Sequence, residues 1–140
     1  MTQTIQDVMT MNPVTLSASS TVVDAARQMK EHDIGDVIVM KDDGGLCGIV
    51  TDRDIAIRAV AQGRDPQSTK LEDICSQDLV QLRPDEPIDR AVRLMRERAI
   101  RRLVVVSDDR PVGVVSMGDL AMEKDPKSAL ADVSAAPPNT

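Results

Sequence analysis

The sequence has no phenylalanine, tyrosine or tryptophan in its 140 residues. Its hydrophobic core must therefore be built from Val, Ile, Leu, Met and Ala, and a hydrophobic fraction of 41 % is high enough for a globular fold. Without aromatic rings the chain also lacks the stacking platforms on which many proteins hold single-stranded nucleic acid. We therefore do not expect a binding function that depends on ring stacking.

Positive charge is also scarce, since 17 Lys and Arg face 23 Asp and Glu for a net charge of −6. This balance argues against general affinity for nucleic acid or an anionic membrane. No apolar run approaches the roughly 20 residues that span a bilayer. The opening MTQTIQDVMT lacks the basic start and apolar stretch of a secretory signal. We therefore expect a soluble, cytoplasmic protein with no membrane partner and no nucleic-acid partner.

Residues for metal and catalytic chemistry are few. Cys47 and Cys75 do not have the spacing of metal ligands, and the single His32 cannot complete a zinc site, so we predict no metal site. In a cytosolic chain two such cysteines are expected to be reduced structural thiols, and no other sequence feature supports a redox role. No nucleophile, base and orienting group can be combined, so we predict no catalytic residues and no enzyme.

The chain is a tandem duplication. A shift of 66 residues aligns 7–44 with 73–110, and after Gly45 is omitted a shift of 65 aligns 46–56 with 111–121. Fifteen of the 49 aligned pairs are identical, where average composition gives about three or four. The identical pairs include Met29 with Met95, Gly48 with Gly113 and Asp54 with Asp119.

Each copy predicts the order β-α-β-β-α, an α+β fold. A short extended segment, PVTL or LVQL, precedes a helix that is expected to start near Ser19 or Asp85, with Pro87 in the first turn of the second copy. Apolar residues then recur at helical spacing, as in Val22, Ala25 and Met29. Two β-branched runs follow, joined by Asp-rich turns typical of hairpins. A second helix begins after the last run.

These patterns divide the chain into four parts. We assign residues 1–63 to the first repeat, 64–70 to a polar linker, 71–123 to the second repeat and 124–140 to a mobile C-terminal tail. Each repeat of about 60 residues has too thin a core to be stable alone. We therefore expect two pseudo-symmetric repeats that pack together through their sheets.

The passage GIVTDRDIAI, residues 48–57, has a looser copy in GVVSMGDLAM, residues 113–122. In both, a buried strand leads through a hydroxyl residue, Thr51 or Ser116, into a helix with an acid three residues later. The first N–H groups of a helix can hold a phosphate, and a carboxylate can accept hydrogen bonds from ribose hydroxyls. The same residues also suit a plain helix cap, and the pattern alone leaves both interpretations open.

The opening VMTxxPV at residues 8–14, the close GIVTDRD at 48–54 and the duplication resemble a tandem pair of CBS domains, the Bateman module. The resemblance covers roughly residues 5–123. It implies two pseudo-symmetric clefts between the paired repeats, which in this family often bind adenine nucleotides such as AMP, ADP or ATP, or related adenosine ligands. It implies no required cofactor. Similar modules commonly form dimers through their helices, so the resemblance also implies a homodimer.

The resemblance also implies which residues bind the ligand. Asp54 and Asp119 correspond to the family's ribose-binding acid, and Thr51 and Ser116 to its phosphate-side hydroxyl. The remaining expected ligand-binding residues are Arg53, Val14, Thr15, Val80, Gln81, Ile34, Val37, Ile100, Arg101, Arg102 and Leu103.

The chain departs from the family pattern in ways that bear on binding. Family members often have proline in the strand after the first helix, where this chain has Ile38 and Val104. Gly118 stands where the first copy has Arg53, so the two clefts are not expected to have equal affinity. The segment 89–102 has six arginines, which we interpret mainly as a solvated helix face. Its end is a second candidate for polyphosphate contacts.

Two functions remain open on the sequence alone. The leading hypothesis is a non-catalytic sensor that binds an adenosine ligand and signals to a separate effector protein. The alternative is a protein–protein interaction module whose ligand clefts are vestigial. Stabilisation of the fold by nucleotide separates the two hypotheses, because a vestigial cleft gives none.

Overall fold

The computed structural model describes residues 3–76 and 80–124. The chain forms two compact units, one of Pro13–Leu79 and one that combines Met1–Asn12 with Val80–Thr140. We call them the first-repeat unit and the second-repeat unit. Each combines helices with one β-sheet, which confirms the predicted α+β class.

The predicted order β-α-β-β-α occurs once in each unit. In chain order the elements are α1 (Ile5–Val8), β1 (Thr10–Met11), β2 (Thr15–Ser17), α2 (Val22–His32), β3 (Asp36–Met40), β4 (Leu46–Thr51), α3 (Asp52–Asp54), a π-helical segment (Ile55–Val60), a 3-10 turn (Leu71–Asp73), β5 (Gln81–Leu82), α4 (Ile88–Arg98), β6 (Arg102–Ser107), β7 (Arg110–Ser116) and α5 (Met117–Lys124).

The first-repeat unit contains the sheet β2-β3-β4. Strand β2 runs parallel to β3, and β3 pairs with β4 in an antiparallel hairpin. The apolar residues of α2 and of this sheet form one buried core. Its members include Val22, Ala25 and Met29 from the helix and Val37, Val39 and Val50 from the sheet. Full burial of such a side chain contributes about 1.5–3 kcal/mol, so this helix–sheet contact is a main source of the unit's stability.

The second-repeat unit contains the sheet β1-β7-β6-β5. Its strands β5, β6 and β7 repeat the parallel and antiparallel pairings of the first sheet. The core residues of α4 and β6 stand at positions that match those of α2 and β3, and they are Ile88, Ala91, Met95, Leu103 and Val105. The two units are therefore copies in packing as well as in order.

The segments that open the two repeats are exchanged. Residues 3–11 open the first repeat, yet β1 pairs with β7 of the second, with Thr10 opposite Val114 and Met11 opposite Gly113. Residues 71–76 open the second repeat, yet Ser76 pairs with Ile49 of β4. The compact units consequently differ from the repeat boundaries read along the chain.

Two matched glycines make this exchange possible. A Cβ on Gly48 would lie 2.5 Å from the carbonyl oxygen of Ser76, and a Cβ on Gly113 would lie 2.6 Å from the sulfur of Met9. In each unit the opening segment of the other repeat therefore comes closest to the strand, β4 or β7, at its glycine, the one residue of that strand without a side chain. Packing against an exchanged segment accounts for the glycine in both copies.

The first helix of each repeat starts later than the sequence predicted. Thr21, not Ser19, caps α2: its side chain accepts from the N–H of Asp24, and the Asp24 carboxylate accepts from the Thr21 N–H. In the second copy Asp85 forms an ion pair with Arg83, and α4 begins directly after Pro87. Pro87 is thus the residue before the first turn, where its fixed φ and missing N–H cost nothing.

The polar stretch 64–70 contacts the start of α2. The carbonyl oxygens of Pro66 and Thr69 accept hydrogen bonds, both of 3.0 Å, from the N–H groups of Val23 and Val22. These donors have no partner within the helix itself. The stretch that the sequence assigned to a linker therefore completes the N-terminus of α2. Of the predicted tail, Lys124 ends α5, and residues 125–140 lie outside the described residues.

Candidate functional site

Most residues proposed for the site in the first repeat lie at one edge of its sheet. Strand β2 starts beside β3, with Thr15 opposite Ile38, and the Val14 carbonyl accepts from the Ile38 N–H at 2.9 Å. Strand β3 starts where β4 ends, with Asp36 opposite Thr51. Because β2 and β3 begin at the edge where β4 ends, the chain segments that contain Val14, Ile34 and Thr51 come together at that edge.

A backbone hydrogen bond joins the start of α3 to the segment before β3. The N–H of Asp52 donates to the carbonyl of Gly35 at 3.0 Å. The copy in the second-repeat unit is the bond from the Met117 N–H to the carbonyl of Arg101, at 2.8 Å. These bonds hold the turns after Ile34 and after Ile100 against the start of a helix. Their position was not readable from the sequence because the acceptors are backbone atoms.

Thr51 and Asp54 cap the start of α3 reciprocally. The Thr51 hydroxyl accepts from the Asp54 N–H at 3.1 Å, and Oδ2 of Asp54 accepts from the Thr51 N–H at 2.9 Å. The plain capping role is therefore real. It does not use up either side chain, because the hydroxyl keeps its own proton to donate and the carboxylate keeps Oδ1 to accept.

Two neighbouring side chains, those of Asp52 and Arg58, contact most of the hydrogen-bonding groups that the cap leaves available at this first junction. Oδ1 of Asp52 accepts from the Arg53 N–H at 2.8 Å. The guanidinium Nε of Arg58 lies 3.7 Å from Oδ1 of Asp54, one helical turn away. The N–H groups of residues 52, 53 and 54 therefore all have partners, and the free carboxylate oxygen faces a cation. Asp52 and Arg58 were not among the residues expected at the site, although the spacing of four residues between Asp54 and Arg58 indicates such a pair.

The junction in the second-repeat unit has the same cap but is less occupied. The Ser116 hydroxyl accepts from the Asp119 N–H at 3.1 Å, and Oδ2 of Asp119 accepts from the Ser116 N–H at 2.8 Å. The residue at the position of Asp52 is Met117, which has no carboxylate to capture the next N–H. Among the described residues no hydrogen-bond partner is assigned to the Gly118 N–H, and no cation pairs with Asp119.

The other proposed binding residues differ in what they expose. Val37 and Leu103 are fully buried in the two cores, so only their backbone could meet a ligand. Val14, Ile34, Val80 and Ile100 are half-buried and pack against those cores. Four polar residues, Thr15, Arg53, Gln81 and Arg101, are exposed, and Arg102 is half-buried opposite Ser116. The backbones of Arg101 and Arg102 thus lie next to the cap of the second junction.

The described residues also bear on metal binding and on membranes. Within residues 3–76 and 80–124 no group of three or more His, Cys, Asp or Glu could hold a metal ion. Across the same part of the chain no helix is long and apolar enough to cross a bilayer.

Comparison with known sequences gives matches over nearly the whole chain. The family model described as CBS domain matches twice, at residues 5–60 and 71–125. The CBS domain-containing protein YhcV of Bacillus subtilis is 41 % identical over 120 residues, which are 86 % of this chain and 84 % of that protein. Two further relatives, 37 % and 35 % identical, are longer, and the chain spans 55 % and 52 % of their lengths.

Solved structures are similar in fold as well. The CBS domain pair of protein MJ0100, in complex with 5′-methylthioadenosine and S-adenosyl-L-methionine, is 27 % identical with a TM-score of 0.81, covering 91 % of this chain and 100 % of that one. Hypoxic Response Protein I, solved with two coordinated zinc ions, is 33 % identical with a TM-score of 0.75, covering 85 % and 97 %.

Proposed function

The chain belongs to the CBS domain family, and from this premise we propose that it is a non-catalytic sensor that binds an adenine nucleotide or a related adenosine ligand. The ligand would bind at the strand-to-helix junctions, where a hydroxyl and a carboxylate each retain hydrogen-bonding capacity after capping the helix. That retained capacity is the observation that carries the proposal. The similar CBS pair solved with two adenosine derivatives supports the ligand class.

Asp119 is the ribose-binding group in this proposal. Its Oδ2 holds the Ser116 N–H, which fixes the carboxylate in place, and Oδ1 is left to accept from a ribose hydroxyl. The Ser116 hydroxyl can donate to a phosphate oxygen, and the Gly118 N–H supplies a second donor. Arg101 adds a cation next to this group, and arginine suits phosphate recognition.

The second junction is the better site of the two. In the first junction a phosphate would have to displace the Asp52 carboxylate from the Arg53 N–H, and a ribose would have to compete with Arg58 for Asp54. Neither competition exists at the corresponding positions of the second junction. We therefore expect that the Asp119 junction binds first, and that the two junctions have unequal affinity.

The ligands to be tested are AMP, ADP, ATP and S-adenosylmethionine. The phosphate donors of the second junction favour a nucleotide over an uncharged adenosine derivative. No aromatic residue exists to stack the base, so the base must pack against aliphatic side chains such as Val80 and Ile100. Aliphatic packing discriminates weakly between purines, and the phosphate count is the better basis for selectivity.

The signalling output is also part of this proposal. We assign the chain to the cytoplasm, as a homodimer that reports ligand binding to a separate effector protein. Ile57 and Val60 are exposed apolar residues on the π-helical segment, and Met117 is one at the start of α5. An exposed apolar helix surface next to a ligand junction can couple binding to association. The ligand shifts that equilibrium only by its difference in affinity for the two states.

An interaction module with vestigial ligand sites remains the second candidate. The observation that favours it is the first junction, where all three helix-start N–H groups have partners within the chain. Such a junction is complete as a cap without a ligand. In this case the exposed helix surface would bind a partner protein without regulation by nucleotide.

Thermal unfolding with each ligand at millimolar concentration tests the proposal. A ligand at about 100 times its dissociation constant stabilises the fold by roughly 2.7 kcal/mol, a shift of several degrees. The informative variants are Asp119→Asn and Asp54→Asn, since asparagine can keep the cap acceptor while the carboxylate is lost. We expect Asp119→Asn to remove the shift and Asp54→Asn to keep most of it. No shift with any ligand in the unmodified protein would favour the interaction module.

A further inference from the structure

The two cysteines lie next to each other in the first-repeat unit. The Sγ atoms of Cys47 and Cys75 are 3.6 Å apart, although the residues are 28 positions apart in the chain. Neither cysteine is in a disulfide; Cys75 is buried and Cys47 is half-buried. A disulfide requires a sulfur–sulfur separation of about 2.05 Å, so a modest rotation of the two side chains would bring them to bonding distance.

The position of Cys47 follows from an irregularity in β4. In the β3–β4 hairpin Val39 lies opposite Gly48 and Met40 opposite Leu46, which leaves Cys47 as an extra, bulged residue. A bulge redirects a side chain and bends the strand at that point. Cys75 comes from the exchanged segment that crosses β4 at Gly48, where a Cβ would lie 2.9 Å from the Cys75 sulfur. The bulge and the crossing together create the pair.

The second repeat has a matching bulge and a matching exchanged segment, but its residues at these two places are not cysteines. Its bulge falls on Val112, since Val105 lies opposite Gly113 and Val106 opposite Pro111. The residue that matches Cys75 is Met9, which packs against the core of that unit. The fold therefore accepts an apolar valine and methionine at these two places, and the thiol pair is not needed for packing.

Cys47 is accessible to a small molecule. It lines a cavity of about 430 Å³ together with Ala18, Lys41, Asp42, Glu72 and Asp73. Cys75 does not line this cavity, and its thiol lies 4.0 Å from the carbonyl oxygen of Glu72. The Cys47 sulfur is thus placed to contact a dissolved reagent, and the Cys75 sulfur is placed to react with Cys47 afterwards.

From this arrangement we infer that Cys47 and Cys75 form a redox-modification site that is oxidised by low-molecular-weight disulfides. The thiolate of Cys47 attacks one sulfur of the reagent, and the other sulfur leaves as a thiolate that takes up a proton. The thiolate of Cys75 then attacks Sγ of Cys47 and releases the second reagent thiol. Two cysteine thiols and one disulfide thereby become one intrachain disulfide and two free thiols.

The charges around the cavity select among such reagents. Lys41 provides one cation, and Asp42, Glu72 and Asp73 provide three carboxylates. The net negative field repels an anionic disulfide and attracts a cationic one. Cystamine, with two ammonium groups, should therefore react faster than glutathione disulfide, with neutral hydroxyethyl disulfide between them. The difference should be about tenfold or more at low ionic strength and should shrink in high salt.

Oxidation would lock the exchanged segment 71–76 onto β4. The crosslink closes a loop between positions 47 and 75 and restricts the unfolded chain. For a loop of this length we expect the melting temperature to rise by about 5–10 °C relative to the reduced protein. The reduced protein has no crosslink between positions 47 and 75, so reduction should return the melting temperature to its lower value.

The test is to incubate the reduced full chain with each of the three disulfides and follow it by intact-mass spectrometry. The expected product of the unmodified protein is the loss of two hydrogens, with no lasting adduct. Cys75→Ser, or Cys75→Ala if serine is not accepted at this buried position, should stop at one adduct on Cys47. Cys47→Ser should react far more slowly than the unmodified protein.

The matched control is the double variant Cys47→Val, Cys75→Met, which copies the residues of the second repeat. It should fold, remain unmodified and show no change in melting temperature with the reagents. A lasting adduct on the unmodified protein would overturn the proposal, as would equal reactivity of Cys47 and Cys75. Glutathione disulfide reacting as fast as cystamine would overturn the role of the acidic cavity.

Discussion

Arg58 lies between Asp54 and the exchanged segment of the first-repeat unit. Its Nε is 3.7 Å from Oδ1 of Asp54, and its Nη1 donates to the carbonyl of Ile74 at 3.3 Å. The Arg58 guanidinium therefore connects the Asp54 carboxylate, a candidate ribose-binding group, to the exchanged segment 71–76. The residue at the matching position of the second repeat is Glu123, so this connection is absent there by sequence.

We expect Arg58→Met to lower the free energy of unfolding by about 1 kcal/mol or less, since half-exposed ion pairs contribute little and the aliphatic stem is retained. The same change should strengthen nucleotide binding at the first junction, because Asp54 then has no competing cation. Urea denaturation measures the first effect and calorimetric titration the second. Weaker binding in this variant would mean that Arg58 itself contacts the ligand.

Asp52→Ala should remove one of the two differences between the first junction and the second, while Arg58 stays in place. Removal of the carboxylate frees the Arg53 N–H for a phosphate oxygen. In a titration with AMP we expect the number of sites per chain to rise from one towards two. Asp52→Asn is the control, because its side-chain oxygen can still accept from the Arg53 N–H. An unchanged number of sites in Asp52→Ala would show that this N–H does not limit binding.

Gly48→Ala and Gly113→Ala should both destabilise the protein, and by different amounts. At Gly48 the new Cβ meets a backbone oxygen at 2.5 Å, so the segment 71–76 must move, and we expect a loss of about 3 kcal/mol. At Gly113 the nearest atom is the flexible Met9 side chain, and a loss of about 1–2 kcal/mol is expected. Urea denaturation of both variants gives the order. A larger loss at Gly113 would contradict it.

Ala99→Gly should stabilise the protein. Ala99 ends α4 in the left-handed conformation with φ 53°, which costs a residue with a Cβ about 1 kcal/mol relative to glycine. Ala99 is exposed, so no packing is lost and a rise of a few degrees in the melting temperature is expected. Asp33, at the matching end of α2 with φ 53°, tolerates this conformation better, so Asp33→Gly should gain less. A decrease on Ala99→Gly would show that its methyl group has a packing role.

The duplication made much of the fold predictable. Family and class are confirmed, and so are the helices and hairpins, because matched apolar periods such as Val22, Ala25 and Met29 recur in the second copy. The helix starts were wrong by two to three residues. Thr21 with Asp24 is a capping box that was readable from the sequence, but Ser19 nearby was an equally good candidate from residue type alone.

The exchanged segments were beyond the sequence, and so was the way in which Asp52 and Arg58 occupy the first junction, although unequal clefts were expected from Gly118. β1 has only two residues, too few to show the alternation that predicts a strand, and Ser76 pairs with Ile49 through a single isolated bridge. The capture of the Arg53 N–H by Asp52 depends on a side-chain rotamer, and the pairing of Cys47 with Cys75 depends on the crossing of a distant segment. The residue types alone do not determine the rotamer, and the local pattern contains no record of the long-range cysteine contact.

The exchange of opening segments affects the order in which the protein can fold during synthesis. Every strand of the first sheet, and the segment that packs against it, lies within residues 13–79, so all the partners of this sheet are present while the ribosome is still translating the second repeat. Residues 10 and 11 emerge about a hundred residues ahead of their partners at 113 and 114. Throughout that interval the nascent chain holds the edge strand of an unfinished sheet, and this sheet can be completed only after residue 114 has left the exit tunnel.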